Sequence, residues 1–150
     1  DVSAGALAMA CELGAEATVH SAEAGEDVPA AVSDITGGGA HVSLDAVGLV
    51  QTCVDSISCL RPRGRHVQVG LLPAAQGRPR VPMDRVISLE LQLFGSHGMG
   101  AGAYPELLGL IAAGRLQPGL LVTRELGLAD AAEALATVGS APGIAVVTSF

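Results

Sequence analysis

The sequence predicts an α/β fold, a doubly wound parallel sheet in three layers with helices on both faces. Two features carry this expectation. Short aliphatic runs with the character of buried strands alternate with segments whose apolar residues recur at helical spacing. The composition agrees: hydrophobic residues make up 49%, charged residues 15% and aromatic residues 2% of the 150 residues. With Phe94, Phe150 and Tyr104 as the aromatics, the core must be built from Val, Leu, Ile and Ala, which suits aliphatic parallel strands packed by small-residue helices.

Ser3 is placed to cap a helix over residues 4–13, whose face carries Leu7, Ala10 and Cys11, and Gly14 ends it. Residues 16–20 read as a short strand. The stretch from Glu26 reads as a helix with Val28, Val32 and Ile35 on one side, ended by the glycines at 37–39. A buried strand is expected over 41–47. The next helix has Val50, Cys53, Val54 and Ile57 at helical spacing. The run Arg61-Pro62-Arg63-Gly64 reads as a turn, and residues 65–72 as the following strand. Residues 73–84 form a loop rich in Pro, Gly and Arg. A strand over 89–94, a helix around 103–113, an extended piece at 121–126, a helix from Leu128 to Ser140 and a last strand over 143–149 complete the series. Short connections between alternating strands and helices imply right-handed parallel crossovers.

Charge narrows the function classes. The formal net charge is -7, all eight basic residues are Arg, and the densest cluster is Arg61, Arg63 and Arg65. A nucleic-acid surface needs a stronger positive footprint, so no nucleic-acid partner is expected. No apolar run reaches membrane-spanning length and no signal-peptide pattern opens the chain, so the expectation is a cytoplasmic protein with no membrane association. Cys11, Cys53 and Cys59 lack CxxC spacing and read as small buried hydrophobes. The four histidines, His20, His41, His66 and His97, show no metal-ligand spacing.

In an open parallel sheet, ligands bind beyond the carboxyl ends of the strands. Those ends here carry Ser21, then Asp45-Ala46-Val47-Gly48, then Gly70, then the glycine-rich run 95–100 that contains His97. Gly48 reads equally as a plain turn and as a place where a flat ligand approaches the backbone. The glycine fingerprint that binds pyrophosphate between a first strand and its helix is absent; the triple glycine at 37–39 follows a helix and precedes a strand, the reverse order. No Ser–His–Asp set can be defended from order alone.

The ordered series of segments, from Asp1-Val2-Ser3 through Asp45-Ala46-Val47-Gly48, residues 65–72 and 89–116, to the closing helix and strand, resembles the C-terminal coenzyme domain of the medium-chain, zinc-type alcohol dehydrogenases. The resemblance covers essentially the whole chain. It implies a Rossmann-like sheet lacking its first strand and glycine-rich loop, so residues before Asp1 and a separate catalytic domain are expected in a parent protein, with residues 1–150 as a partial coenzyme domain.

By resemblance, Asp1 matches the acid that binds the adenine ribose and favours NAD, while Ala6, where a basic residue usually stands, leaves NADP open. Ala46 and Val47 match residues lining the adenosine–nicotinamide cleft, Val69 and Leu71 the strand end beside the nicotinamide, and Ser96 and Gly98 the backbone that meets the carboxamide. Gly143-Ile144 lacks the basic residue that often follows this glycine in relatives. The resemblance implies reversible hydride transfer between an alcohol or carbonyl substrate and NAD in the parent, with zinc held by the missing catalytic domain and none by this chain. It also implies a homodimer or homotetramer, with residues 85–94 as the pairing edge, and an inactive isolated piece. Two alternatives stand beside it: a zinc-free quinone or enone reductase of the same superfamily, and a non-enzymatic structural or oligomerisation module.

Overall fold

A computed structural model of the chain describes residues 1–22, 27–139 and 141–150. Glu26, where the second helix was expected to begin, and Ser140, expected to close the sixth, lie outside the described residues. The chain divides into two compact units: Asp1–Thr18 together with Met99–Phe150, and Val19–Gly98.

The central unit, Val19–Gly98, contains helix α2 (Val28–Thr36), strand β1 (Ala40–Asp45), helix α3 (Val50–Ser58), strand β2 (Leu60–Gln68), helix α4 (Met83–Ser88) and strand β3 (Gln92–Gly95). The strands form a parallel sheet in the order β1-β2-β3. Parallel neighbours need crossovers, and α3 supplies the one between β1 and β2. Its apolar stripe buries Cys53 and Ile57, which join Leu60 and Leu91 in the core. Val50 and Val54 are half-buried, so the face expected from spacing is the one that packs. Asp27 caps α2 by accepting from the Ala30 N–H, and Gly37 ends it in the left-handed conformation at φ 66°. Ile35 remains 53% exposed, so α2 packs through Val28 and Val32 without it.

Three expectations about residues 16–95 are corrected. Residues 16–20 carry no assigned strand. The run Arg61–Gly64 does not end a segment before β2 but lies inside it: Ala40 pairs with Leu60 and Val42 with Arg65, so β2 makes an excursion against a short stretch of β1. Arg63 takes φ 62° there, its N–H donates to the Leu89 carbonyl at 2.7 Å, and its guanidinium meets Glu90 at 3.3 Å on the surface. The third correction concerns the loop expected over 73–84 and the residues after it: 83–88 fold into α4. This shortens the strand expected over 89–94 to Gln92–Gly95. Arg85 of α4 donates to the Ser58 carbonyl at the end of α3, which anchors this short helix.

The other unit holds α1 (Ala4–Glu12), α5 (Tyr104–Ala112), β4 (Val122–Gly127), α6 (Ala131–Ala136) and β5 (Ile144–Ser149). Ser3 caps α1 by accepting from Ala6, and Gly14 follows its end at φ 105°. β4 and β5 pair with each other in a separate parallel sheet. Cys11 is exposed, in contrast to Cys53 and Cys59, so the expectation of buried cysteines holds for two of the three.

Candidate functional site

Six of the seven residues singled out from the sequence lie at one edge of one sheet. Ala46 and Val47 follow β1, Val69 and Leu71 follow β2, and Ser96 and Gly98 follow β3. Because the strands are parallel and adjacent in order, these ends fall side by side. Asp1 belongs to the other unit, where its carboxylate accepts from the Ser3 N–H at 2.7 Å as α1 begins.

The edge is apolar and open. Val47 is 65%, Val69 42% and Leu71 68% exposed. Aliphatic side chains held out at strand ends offer a flat, water-shedding surface to a planar ring. At the end of β3, a Cβ placed on Gly95 or Gly98 would meet nothing within 4 Å, and Gly98 stands at φ 60°. The Ser96 N–H, by contrast, donates to the Gln68 carbonyl at 2.9 Å, so Ser96 has its carbonyl rather than its amide left for a ligand.

Gly48 is taken by the protein itself. At φ 81°, a Cβ there would collide with the Leu71 carbonyl oxygen and come within 2.8 Å of the Leu71 nitrogen. The β1 and β2 loops therefore pack backbone against backbone, and Gly48 and Gly70 permit that approach. Of the two readings of Gly48, the structure supports the turn.

Asp45 organises this edge, and reasoning from the sequence passed it over. It is 3% exposed at the end of β1. Its Oδ1 accepts from the N–H of Val47 at 2.9 Å and of Gly48 at 3.0 Å, with the Thr52 hydroxyl at 3.1 Å. Its Oδ2 accepts from Gln68 Nε2 at 2.7 Å. Its backbone carbonyl accepts from the N–H groups of Val69 at 2.9 Å and Gly70 at 2.7 Å. Burial alone pushes the carboxyl pKa up, but the hydrogen bonds from Gly48, Gln68, Thr52 and Val47 outweigh it and hold the group below the usual carboxylate value. Gln68 also donates to the Gly70 carbonyl, and its Oε1 lies 3.2 Å from Nε2 of buried His66. Nδ1 of His66 lies 3.3 Å from the Ser43 hydroxyl and 3.1 Å from that of Ser56. The signal available in the sequence was Asp45-x-x-Gly48 after a strand, a pattern in which an Asp side chain caps its own turn.

A zinc site does not fit the described residues: no group of three His, Cys, Asp or Glu side chains among them could hold a metal ion. Burial raises the thiol pKa of Cys53 and of Cys59, opposite to what a thiolate ligand needs. Nor is any helix among the described residues long and apolar enough to cross a membrane.

Residues 1–113 match the family model described as zinc-binding dehydrogenase. A Mycobacterium tuberculosis (strain ATCC 25618 / H37Rv) protein named probable alcohol dehydrogenase adh is 33% identical over 133 residues, which are 88% of this chain and 36% of that protein. The chain thus spans little more than a third of that relative. The solved structure of an alcohol dehydrogenase zinc-binding domain protein from Burkholderia ambifaria is similar with a TM-score of 0.79 at 28% identity, over 93% of this chain and 38% of that one. A solved NAD-dependent alcohol dehydrogenase is similar with a TM-score of 0.77 at 26% identity, over 95% of this chain and 40% of that one. The Rossmann-like α/β class expected from the sequence agrees with these likenesses.

Proposed function

Because the chain belongs to the zinc-binding dehydrogenase family, we propose that it is the coenzyme-binding part of an NAD-dependent alcohol dehydrogenase, which transfers hydride reversibly between an alcohol and NAD. The observation that carries this reading is the open aliphatic edge formed by Val47, Val69 and Leu71 at the same sheet end as the bare turn at Gly95–Gly98. In this proposal Ala46 and Val47 pack against the adenosine side of the coenzyme. Val69 and Leu71 support the nicotinamide ring and exclude water from one face. The Ser96 carbonyl and the Gly98 backbone meet the carboxamide, and Asp1 binds the ribose, with NAD preferred over NADP because a 2'-phosphate would meet like charge.

NAD, when bound, supplies the hydride acceptor. The chain's own part is to bind and orient it, and zinc and the alcohol or carbonyl substrate belong to a catalytic part outside these residues. The named function of the solved NAD-dependent relative and of the M. tuberculosis relative supports the reading. We propose assembly as a homodimer or homotetramer with residues 85–94 as the pairing edge, a segment that includes most of the exposed strand β3, Gln92–Gly95.

NADH titrated into the chain and followed by nicotinamide fluorescence tests the reading. Binding is expected to be weaker than about 1 μM, since the glycine fingerprint that takes the pyrophosphate does not occur in this sequence. Leu71→Asp is expected to weaken it at least about tenfold by burying a charge against the ring. NADH affinity unchanged in Leu71→Asp, or turnover of an alcohol by the chain alone, would overturn it.

A further inference from the structure

The strand-end edge is held by more than local turns. Four side chains connect its two loops to the helix beneath: Ser56 on α3, His66 and Gln68 on β2, and Asp45 on β1. His66 is 2% exposed and Asp45 3%. We propose that Asp45, Gln68 and His66 are positioning residues: a buried relay in which the Asp45 carboxylate dictates the orientation of the Gln68 amide and the tautomer of His66, and thereby sets the loops carrying Ala46, Val47, Val69 and Leu71.

The partners of the Gln68 amide fix its orientation. The end of the Gln68 side chain that lies between Asp45 Oδ2 at 2.7 Å and the Gly70 carbonyl at 2.9 Å faces two acceptors, so it must be the nitrogen. That commits Oε1 to His66, 3.2 Å away, and an acceptor there requires a hydrogen on His66 Nε2. In the tautomer with its single hydrogen on Nε2, Nδ1 is an acceptor facing the hydroxyls of Ser56 and Ser43, either of which can donate to it. Every polar atom of the relay is satisfied in this one pattern, as burial demands. Asp45 in turn gathers Val47, Gly48 and Thr52 on one oxygen, and its backbone carbonyl holds Val69 and Gly70. One residue thus ties both loops, and no residue of the relay needs to touch a ligand to shape the surface a ligand meets.

The role in coenzyme binding rests on the reading of this edge as the NAD site, so the test separates the two. Nitrogen-15 NMR of the imidazoles in the full chain reports the tautomer. In the unaltered chain His66 is expected to carry its hydrogen on Nε2. Asp45→Asn places an amide N–H opposite Gln68 Nε2 while the Gly70 carbonyl still calls for a donor there, so the Gln68 amide loses its single satisfied orientation and part of the His66 hydrogen is expected to move to Nδ1. NADH affinity is expected to fall about tenfold, comparable to losing one hydrogen bond to a charged group. Gln68→Met, which keeps length but removes both amide groups, is expected to weaken NADH similarly, and it serves if the Asp45 variant does not fold.

A hydrogen on Nδ1 in the unaltered chain, or a tautomer that does not change in Asp45→Asn, overturns the relay. A changed tautomer with NADH affinity within twofold of the unaltered chain in both variants overturns its positioning role. No NADH binding by the unaltered chain overturns the coenzyme reading and the role within it, while the tautomer measurement still decides whether the relay exists.

Discussion

The two units differ most in what they bury. In Val19–Gly98, Ile57 is 1% exposed, Leu60 2% and Cys53 4%, and the polar residues Asp45 and His66 are equally enclosed. In the other unit no described residue is buried: α1, α5 and α6 contribute none, and Leu135 and Val138 are 73% and 77% exposed. The secondary structure is as regular in one as in the other. Regular elements therefore do not by themselves make a core; the central unit has one because the α3 stripe meets a three-stranded parallel sheet.

The largest expected contrast is in stability. Ile57→Ala removes a side chain with no room to relax and should cost about 3 kcal/mol. Leu135→Ala, in the other unit, should cost less than about 0.5 kcal/mol because its side chain is already in water. Urea unfolding of both variants measures this, and similar losses would break the contrast.

A smaller effect is expected in acid. The Asp45 carboxyl is held below its ordinary value of 3.8, so the folded state binds its proton less readily than the unfolded chain does. Its contribution to stability is fully present above that ordinary value and is lost as pH falls through the lowered folded one. Asp45→Asn should therefore flatten the stability profile below about pH 4, where the unaltered group starts to protonate in the unfolded chain. Denaturant melts across that range would read the difference, and an equally steep decline in the variant would count against it.

The smallest effect concerns the thiols. Cys11 is exposed, whereas burial raises the thiol pKa of Cys53 and Cys59 in the central unit. A maleimide at neutral pH is expected to label Cys11 first and the other two only as the central unit unfolds. Mass spectrometry of the labelled peptides distinguishes that order from simultaneous labelling, which would remove the difference between the units.

Much of the candidate site was legible because strand ends announce themselves. The strand-end segments 45–48, 69–72 and 95–100 stood out where aliphatic runs stop, the family resemblance named Ala46, Val47, Val69, Leu71, Ser96 and Gly98 within them, and the parallel order of β1, β2 and β3 brings those strand ends to one edge. The Asp45 relay was not legible for the opposite reason. His66 reads as one more strand histidine and Gln68 as an ordinary polar position. What joins them to Asp45 and Ser56 is the β1–β2 register, which sets Asp45 beside Gln68 and Ser43 beside His66. Likewise Met83–Ser88 is a helix because its packing against the end of α3 outweighs the local pull of the neighbouring prolines.

By itself, the sequence determined the α/β class, the parallel strands and the caps at Ser3 and Gly37, because periodicity and turn chemistry act over a few residues, whereas the strands expected over 41–47 and 65–72 end earlier, at Asp45 and Gln68. Only the tertiary structure decided that β4 and β5 pair apart from the other three strands, that Gly48 yields its space to Leu71 rather than to a ligand, and that one buried carboxylate binds two loops. Those outcomes depend on which segments meet across long stretches of chain. Such meetings are governed by burial and by the need to satisfy every enclosed polar group, and no local pattern encodes them.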